Sequence, residues 1–244
     1  IPVPADYRIG PGDHLVIQLF GKRNVEYNLV VTRDGKVLIP EFGPVAVGGL
    51  SFADAETLIT SGFEQRVIGA RAVVTMGRLR TIQVRLSGDV RQPGIYTIGG
   101  LSSLIDALLT TGGIAGTGTL RDIRLIRDGK IVSRLDLYEL LLEGNSGGDA
   151  FLRHNDTIFV PAIGDVVYIA GEVQRPAIYE LRGETTLGEA LAMAGGMLPT
   201  ASLQDSIIER ILPAGSRTVL DFHALPASQG GAAQRESVLA TPLR

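Results

Sequence analysis

The sequence predicts an α+β protein made of three small domains in tandem. Three observations carry that expectation: an internal duplication, hydroxyl–carboxylate pairs that open short helices, and Asp-Gly turns between alternating apolar runs. The duplication is the strongest. Val84-Arg-Leu-Ser-Gly88-Asp-Val-Arg-Gln-Pro93-Gly-Ile95-Tyr96 returns as Val167-Tyr-Ile-Ala-Gly171-Glu-Val-Gln-Arg-Pro176-Ala-Ile178-Tyr179, an offset of 171 − 88 = 83. Residues 84–122 and 167–205 are identical at 15 of 39 positions without a gap, too many for shared composition to supply.

The N-terminal 80 residues form a different unit with similar parts. Leu15–Phe20, Leu29–Thr32 and Val37–Ile39 read as strands from their apolar runs. Arg33-Asp34-Gly35-Lys36 reads as a hairpin, because Asp-Gly supplies the positive φ angles of a tight turn. Ser51 with Asp54 reads as a capping box opening a helix to about Arg66. Val73–Met76 reads as a further strand.

In the first copy, Ile82, Val84 and Leu86 alternate as a half-buried strand does. Gln92-Pro93-Gly94 marks a turn, and Ile95–Ile98 a second strand. Ser103 and Asp106 open a helix, and Gly112-Gly113 end it where left-handed backbone is needed. Arg127-Asp128-Gly129-Lys130 is another hairpin. The second copy repeats the pattern with Val167 and Ile169, Thr186 with Glu189, and Gly195-Gly196. The expected domains are 1–80, 81–163 and 164–244. Units of this size bury little core alone, so they are expected to pack on one another. The repeat loosens near its end. Leu135-Asp136 matches Leu220-Asp221 at 220 − 135 = 85, and Leu152-Arg153 matches Leu243-Arg244 at 243 − 152 = 91. The counterpart of Asn155–Val160 is therefore expected past Arg244, leaving the third domain truncated at its C-terminal end.

Composition excludes several functions. There are 23 Lys+Arg against 26 Asp+Glu, with no long basic block, so no nucleic-acid partner is expected. With no Cys there is no disulfide, zinc-thiolate site or cysteine nucleophile. No apolar run reaches the ~18–20 residues of a membrane-spanning helix. The sequence opens on Ile, so a longer gene product is expected. His14, His154 and His223 fall one per domain without a partner at i+3 or i+4, and no metal is expected. Gly112–Gly118 follows a helix and lacks Gly-Lys-Ser/Thr, unlike a phosphate loop, and no cofactor is expected. No Gly-x-Ser-x-Gly turn occurs, and no catalytic residue or enzyme activity is expected. The repeat singles out Arg91, Gln92, Gln174 and Arg175 on the hairpin shoulders, and Tyr96 and Tyr179 on the second strands. These six are candidates for glycan or subunit contacts. Both tyrosines fit better as strand residues half-buried against the helix.

Asp6-Tyr7-Arg8-Ile9-Gly10-Pro11-Gly12-Asp13-His14-Leu15 resembles the opening signature of the outer-membrane polysaccharide export proteins, the Wza-like family. Val37-Leu-Ile-Pro40 followed by Gly43-Pro44-Val-Ala-Val-Gly48-Gly49-Leu50-Ser51 continues the resemblance. The two Gly-x-Val-x-x-Pro units, at Gly88 and Gly171, are similar to the SLBB β-grasp domains of that family. The resemblance implies a polysaccharide-export domain followed by two β-grasp repeats. It further implies a non-catalytic periplasmic component, associated with the outer membrane, in capsule or exopolysaccharide export. Such a component forms or extends a ring-shaped conduit, as a cyclic homo-oligomer, with polysaccharide as cargo and an inner-membrane polysaccharide copolymerase as partner. The lipoprotein Cys of many members is absent from these residues. So is an amphipathic C-terminal helix in 226–244, and the chain is not expected to be the outer-membrane pore itself. The alternative is a monomeric periplasmic or surface module whose β-grasp units bind a glycan or small ligand.

Overall fold

A computed structural model gives the fold and describes residues 3–21, 24–40, 42–66, 71–202, 205–211, 217–221, 236 and 238–243. Most of the 226–244 tail lies outside these residues. The chain forms two compact units. The first holds Ile1–Ala115, Arg124–Arg134 and Gly147–Phe159; the second holds Gly116–Ile123, Leu135–Ser146 and Val160–Arg244. Three segments of the first repeat, 116–123, 135–146 and 160–163, are thus grouped with the second repeat.

The first unit opens with β1 (His14–Phe20), β2 (Val25–Val30), β3 (Lys36–Ile39), β4 (Gly43–Ala46), α1 (Phe52–Arg66) and β5 (Arg71–Met76). β1 is central in a three-stranded antiparallel sheet ordered β2-β1-β5, with Ile17 opposite both Tyr27 and Val74. Its alternation turns Leu15 and Ile17 into the core, where both are fully buried. Ala55, Ile59 and Phe63 recur at four-residue spacing and form the buried stripe of α1 in the same core. Each large side chain so removed from water contributes about 2 kcal/mol. Ser51 Oγ accepts from Asp54 N at 3.1 Å and starts the helix. The Asp34-Gly35 turn forms, with Gly35 N donating to Thr32 O at 2.9 Å, but it does not close a hairpin. β2 pairs with β1, whereas β3 pairs with β4, a strand that lacked a sequence signal because Gly43 and Pro44 occupy it.

The first repeat supplies β6 (Thr81–Gly88), β7 (Gly94–Gly99), α2 (Leu104–Thr110), β8 (Ile123–Arg127), β9 (Lys130–Leu135), α3 (Leu137–Glu143) and β10 (Thr157–Val160). Its sheet runs β7-β6-β10-β8-β9, so the last strand is inserted between the two hairpins. Ile82, Val84 and Leu86 are buried by the expected alternation, as are Leu104, Ala107 and Leu108 of α2. Asp128 and Gly129 take φ 51 and 74 in the β8–β9 turn, as the Asp-Gly pair requires.

The second repeat supplies β11 (Val166–Ile169), β12 (Ala177–Glu180), α4 (Leu187–Met193), β13 (Ile207–Ile211) and β14 (Arg217–Asp221). The two hairpins have the same register: Val84 faces Tyr96 and Val167 faces Tyr179. The helices are equivalent too. Each has a complete capping box, Ser103 with Asp106 and Thr186 with Glu189. Each ends on paired glycines of positive φ, 93 and 82 at Gly112-Gly113, 81 and 86 at Gly195-Gly196. The sheets differ. β11–β12 and β13–β14 are separate two-stranded sheets among the described residues. Among those residues no helix is long and apolar enough to cross a membrane.

Candidate functional site

Each unit contains a buried carboxylate that gathers donors from distant parts of the chain. In the first unit it is Asp13, which is fully buried. Pro11 and Gly12, the latter at φ 91, turn the backbone so that Asp13 reaches back to accept from Gly10 N at 2.8 Å. The Tyr7 hydroxyl donates to Asp13 at 2.8 Å. Arg80 closes the cluster: its backbone N donates to Asp13 Oδ1 at 2.8 Å, and its guanidinium pairs with Oδ2. The guanidinium also donates to Arg8 O at 3.0 Å and lies 5.3 Å from the Tyr7 ring centre. Burial, then the hydrogen bond to Asp13, pushes the Tyr7 phenol well above its ordinary value, so it remains a donor.

The same cluster fastens the N-terminal domain to the first repeat. Gly100 N donates to Arg80 O at 2.9 Å. A β-carbon on Gly100 would sit 2.9 Å from that oxygen, and one on Gly10 would sit 2.7 Å from Arg80 Nη1. Glycine is therefore needed at position 100 for close backbone approach, whereas at position 10 a β-carbon would displace the Arg80 guanidinium. Asp13 reads in sequence as a local turn residue, and it is one. Its link to Arg80 spans 67 positions and leaves no local signal.

In the second unit the carboxylate is Glu180, at the end of β12 and 5% exposed. It accepts from the Thr119 hydroxyl, from Leu120 N at 2.9 Å and from Gly164 N at 3.2 Å. Its own N–H donates to the Tyr138 hydroxyl at 2.9 Å. Beside it, Arg121 reaches Asp136 at 3.2 Å and Glu184 at 2.7 Å, and donates to Glu180 O at 3.0 Å. Arg182 joins Asp136 at 3.0 Å. Asp136 also caps α3 by accepting from Tyr138 N at 2.8 Å. Arg121 stacks 4.7 Å from the Tyr138 ring centre, and Tyr138 meets Tyr179 edge-on at 6.3 Å. Desolvation opposes charge on both Arg121 and Glu184, yet their hydrogen bonds outweigh it. Arg121 is held above its ordinary value and Glu184 below. Residues 119–121 and 136–138 of the first repeat are thereby tied to 164–184 of the second, all within the second unit. The repeat carried a faint signal of this. Glu180 stands where the first copy has Thr97, which is exposed.

The six residues singled out from sequence fall into two separate sets. Arg91 and Gln92 are exposed on the first hairpin, and Arg91 Nε donates to Ile114 O at 3.3 Å. Gln174 and Arg175 are exposed on the second, and Arg175 donates to Met193 O at 3.1 Å, at the negative end of α4. Both tyrosines brace their own hairpins: Tyr96 donates to Gln92 O at 2.8 Å and Tyr179 to Arg175 O at 2.6 Å. Tyr96 is half-buried. Tyr179 is 7% exposed, and its ring belongs to the second core, so it does not offer a face to a sugar. His154 accepts from Gln83 N at 3.2 Å through Nδ1. Among the described residues no group of three or more His, Asp or Glu is placed to hold a metal ion.

Serial α+β domains, with buried carboxylates at two of their junctions, define a multidomain protein. Comparison with known proteins gives the family. Residues 1–77 match the family model described as polysaccharide biosynthesis/export protein, and 82–160 and 166–221 each match an SLBB domain. The chain belongs to the polysaccharide export proteins, with an export domain followed by two SLBB domains. It is 30% identical over 194 residues to the polysialic acid transport protein KpsD of Escherichia coli, covering 78% of this chain and 34% of that protein. It is 30% identical over 223 residues to the EPS I polysaccharide export outer membrane protein EpsA of Ralstonia nicotianae, covering 80% of this chain and 58% of that protein. The chain thus spans about a third to just over half the length of these relatives.

Proposed function

We propose that this chain is a non-catalytic, periplasmic part of the apparatus that exports a capsular or extracellular polysaccharide across the outer membrane. The observation that carries the reading is the ordered series of one export domain and two SLBB domains, together with similarity to relatives named for polysaccharide transport and export. The two buried-carboxylate clusters support a geometric role. A conduit wall needs successive domains held in fixed relation, and buried charge networks give a unique arrangement at the cost of desolvation. In this reading identical subunits close into a ring through heterologous contacts, in which opposite faces of one subunit must match. The exposed shoulders Arg91, Gln92, Gln174 and Arg175, with the half-buried Tyr96, are the proposed subunit or glycan contacts. An exposed apolar face on β11–β12 is a further subunit-contact candidate, with Tyr168 and Ile178 paired across the strands at 72% and 63% exposure. An inner-membrane copolymerase would meet the ring from the cell side.

These 244 residues contain no Cys, so introduced thiols are the only ones among them. With Arg91→Cys and Gln174→Cys in the same chain, so that each subunit can link to two neighbours, a bifunctional thiol cross-linker applied to exporting cells is expected to give a ladder of multimers ending at one closed size. A monomer at every concentration, together with direct glycan binding, would overturn the conduit in favour of a binding module.

A further inference from the structure

Helix α3 is apolar at Leu137, Tyr138, Leu140, Leu141 and Leu142, yet none of its residues is buried. Tyr138 packs on the core of the second repeat. One turn further on, Leu141 is 70% exposed, and Leu142 is exposed beside it. An apolar helix left uncovered by its own domain is suited to a second surface that covers it. The C-terminal end of α3 adds a charge. Glu143 is exposed there, and no basic residue stands in the last turn. A carboxylate at the negative end of a helix gains nothing from that helix, so a cation brought from elsewhere improves its position.

The same unit has a second uncovered apolar surface. Val166, Tyr168 and Ile178 are exposed on one face of the β11–β12 hairpin, with Tyr168 directly opposite Ile178. Strand alternation sends Tyr179 to the other face, and it is Tyr179 that meets Tyr138 of α3 edge-on. Residues 135–146 and 160–244 belong to one compact unit, so α3 and the Tyr168 face lie on opposite sides of the hairpin within it. At the turn into β12, Arg175 is exposed and uses one nitrogen, Nη2, on Met193 O.

The first repeat is an internal control. At the offset of 83, Arg85 stands in the place of Tyr168 and Ile95 in that of Ile178, and the two are paired in the same register. Arg85 is exposed, as Tyr168 is. The hairpin therefore folds with a cation at that position. The uninterrupted apolar face of the second repeat answers to something outside its own fold.

We propose that these two surfaces meet between copies of the chain. The Leu141–Leu142 ridge of α3 packs on the Val166, Tyr168 and Ile178 face of the next copy, and Glu143 pairs with Arg175 there. The proposal rests on the ring reading above and names the surfaces that close it. Helix on hairpin is a heterologous contact, so an open row of subunits has one free surface of each kind at its ends and a closed ring has none. Tyr168 is the anchor, because its large ring covers much area at the cost of ordering only two side-chain torsions. Glu143 and Arg175 add the unlike charges that the apolar surfaces lack, which steers helix to hairpin rather than like to like.

The test is disulfide mapping with the full-length protein in exporting cells. One copy carries Leu141→Cys and a second, expressed with it, carries Ile178→Cys. Under mild oxidation the two are expected to link to each other, and neither is expected to link to itself. Adding Glu143→Arg to the first copy is expected to lower the yield of that link about tenfold. Arg175→Glu in the second copy is expected to do the same, and both reversals together to restore it. Glu143 is exposed, so its reversal keeps the test readable if Arg175→Glu loosens α4. Ile178→Cys linked to itself overturns the proposal, since like faces then meet. A 141–178 link indifferent to the reversals overturns the Glu143–Arg175 pairing. No 141–178 link in cells where Arg91→Cys with Gln174→Cys still gives the closed ladder overturns this contact and leaves the ring standing. The loss of both overturns the ring and this contact together.

Discussion

The two SLBB repeats have the same ingredients and different completeness. Both have a first hairpin in matching register, a capped helix and a second hairpin. Among the described residues only the first has the strand that joins its hairpins into one five-stranded sheet. Local signals therefore suffice to form the parts. A strand brought in from a later stretch of sequence is what makes one sheet of them.

Paired substitutions at equivalent positions sharpen this contrast. The largest effect is expected at the arginine pair. Arg127→Ala leaves the Asp156 carboxylate, whose side chain is 1% exposed, buried without its ion-pair partner, and is expected to cost about 3 kcal/mol. Arg210, its counterpart at 210 − 127 = 83, makes no ion pair among the described residues and donates to Pro242 O, so Arg210→Ala is expected to cost less than about 1 kcal/mol. Urea denaturation followed by circular dichroism measures both, and equal losses would break the comparison. The caps come next and should not discriminate. Ser103→Ala and Thr186→Ala are each expected to cost about 1 kcal/mol, because both boxes are complete. A loss confined to the first repeat would mean that the second helix is held by something other than its cap.

The smallest expected effect concerns pH in the second unit. Glu184 is held below its ordinary 4.5, so its ionised form is favoured in the folded state. Its stabilising contribution is complete above pH 4.5 and is lost as the pH falls through the lower folded value. With its side chain 18% exposed, the contribution is expected to stay below about 1 kcal/mol. Glu184→Gln should flatten the acid limb of stability against pH while leaving the neutral region nearly unchanged. An unaltered acid limb would show that Arg121 draws its hold from Asp136 and Glu180 alone.

Much of this was legible from residue patterns. Ser103, Asp106 and Gly112-Gly113 marked a helix at both ends, and the shift in offset from 83 to 91 placed Leu243 opposite Leu152 before any contact was known. β4 was missed because Gly43-Pro44 argues against a strand, and α3 because its stretch is short and its buried neighbours lie elsewhere in sequence. The carboxylate clusters were missed for a different reason. Periodicity reports which face of an element is buried, not which distant donor meets it there. Asp13 looked like a turn residue and Glu180 like a strand residue, and only assembly shows each of them surrounded by donors. The hairpin shoulders were singled out because they repeat, and the repeat turns out to preserve tyrosine braces to the backbone as well as exposed polar groups.

The Asp13 cluster sets an order of events for a polypeptide made from its N-terminus. Tyr7 and Gly10 are within six residues of the carboxylate, but Arg80 is 67 residues away. Closing so long a loop costs only slightly more than closing one half its length, so distance is no thermodynamic obstacle. It is a matter of timing. Until residue 80 has been made, the acid destined for full burial has no cation, and β1 lacks β5 on one edge. A chain unfinished at this point thus shows an open strand edge and an unmatched charge at β1, both of which vanish once residue 80 is in place. That difference separates nascent from mature molecules in a form that chaperones and proteases are able to read.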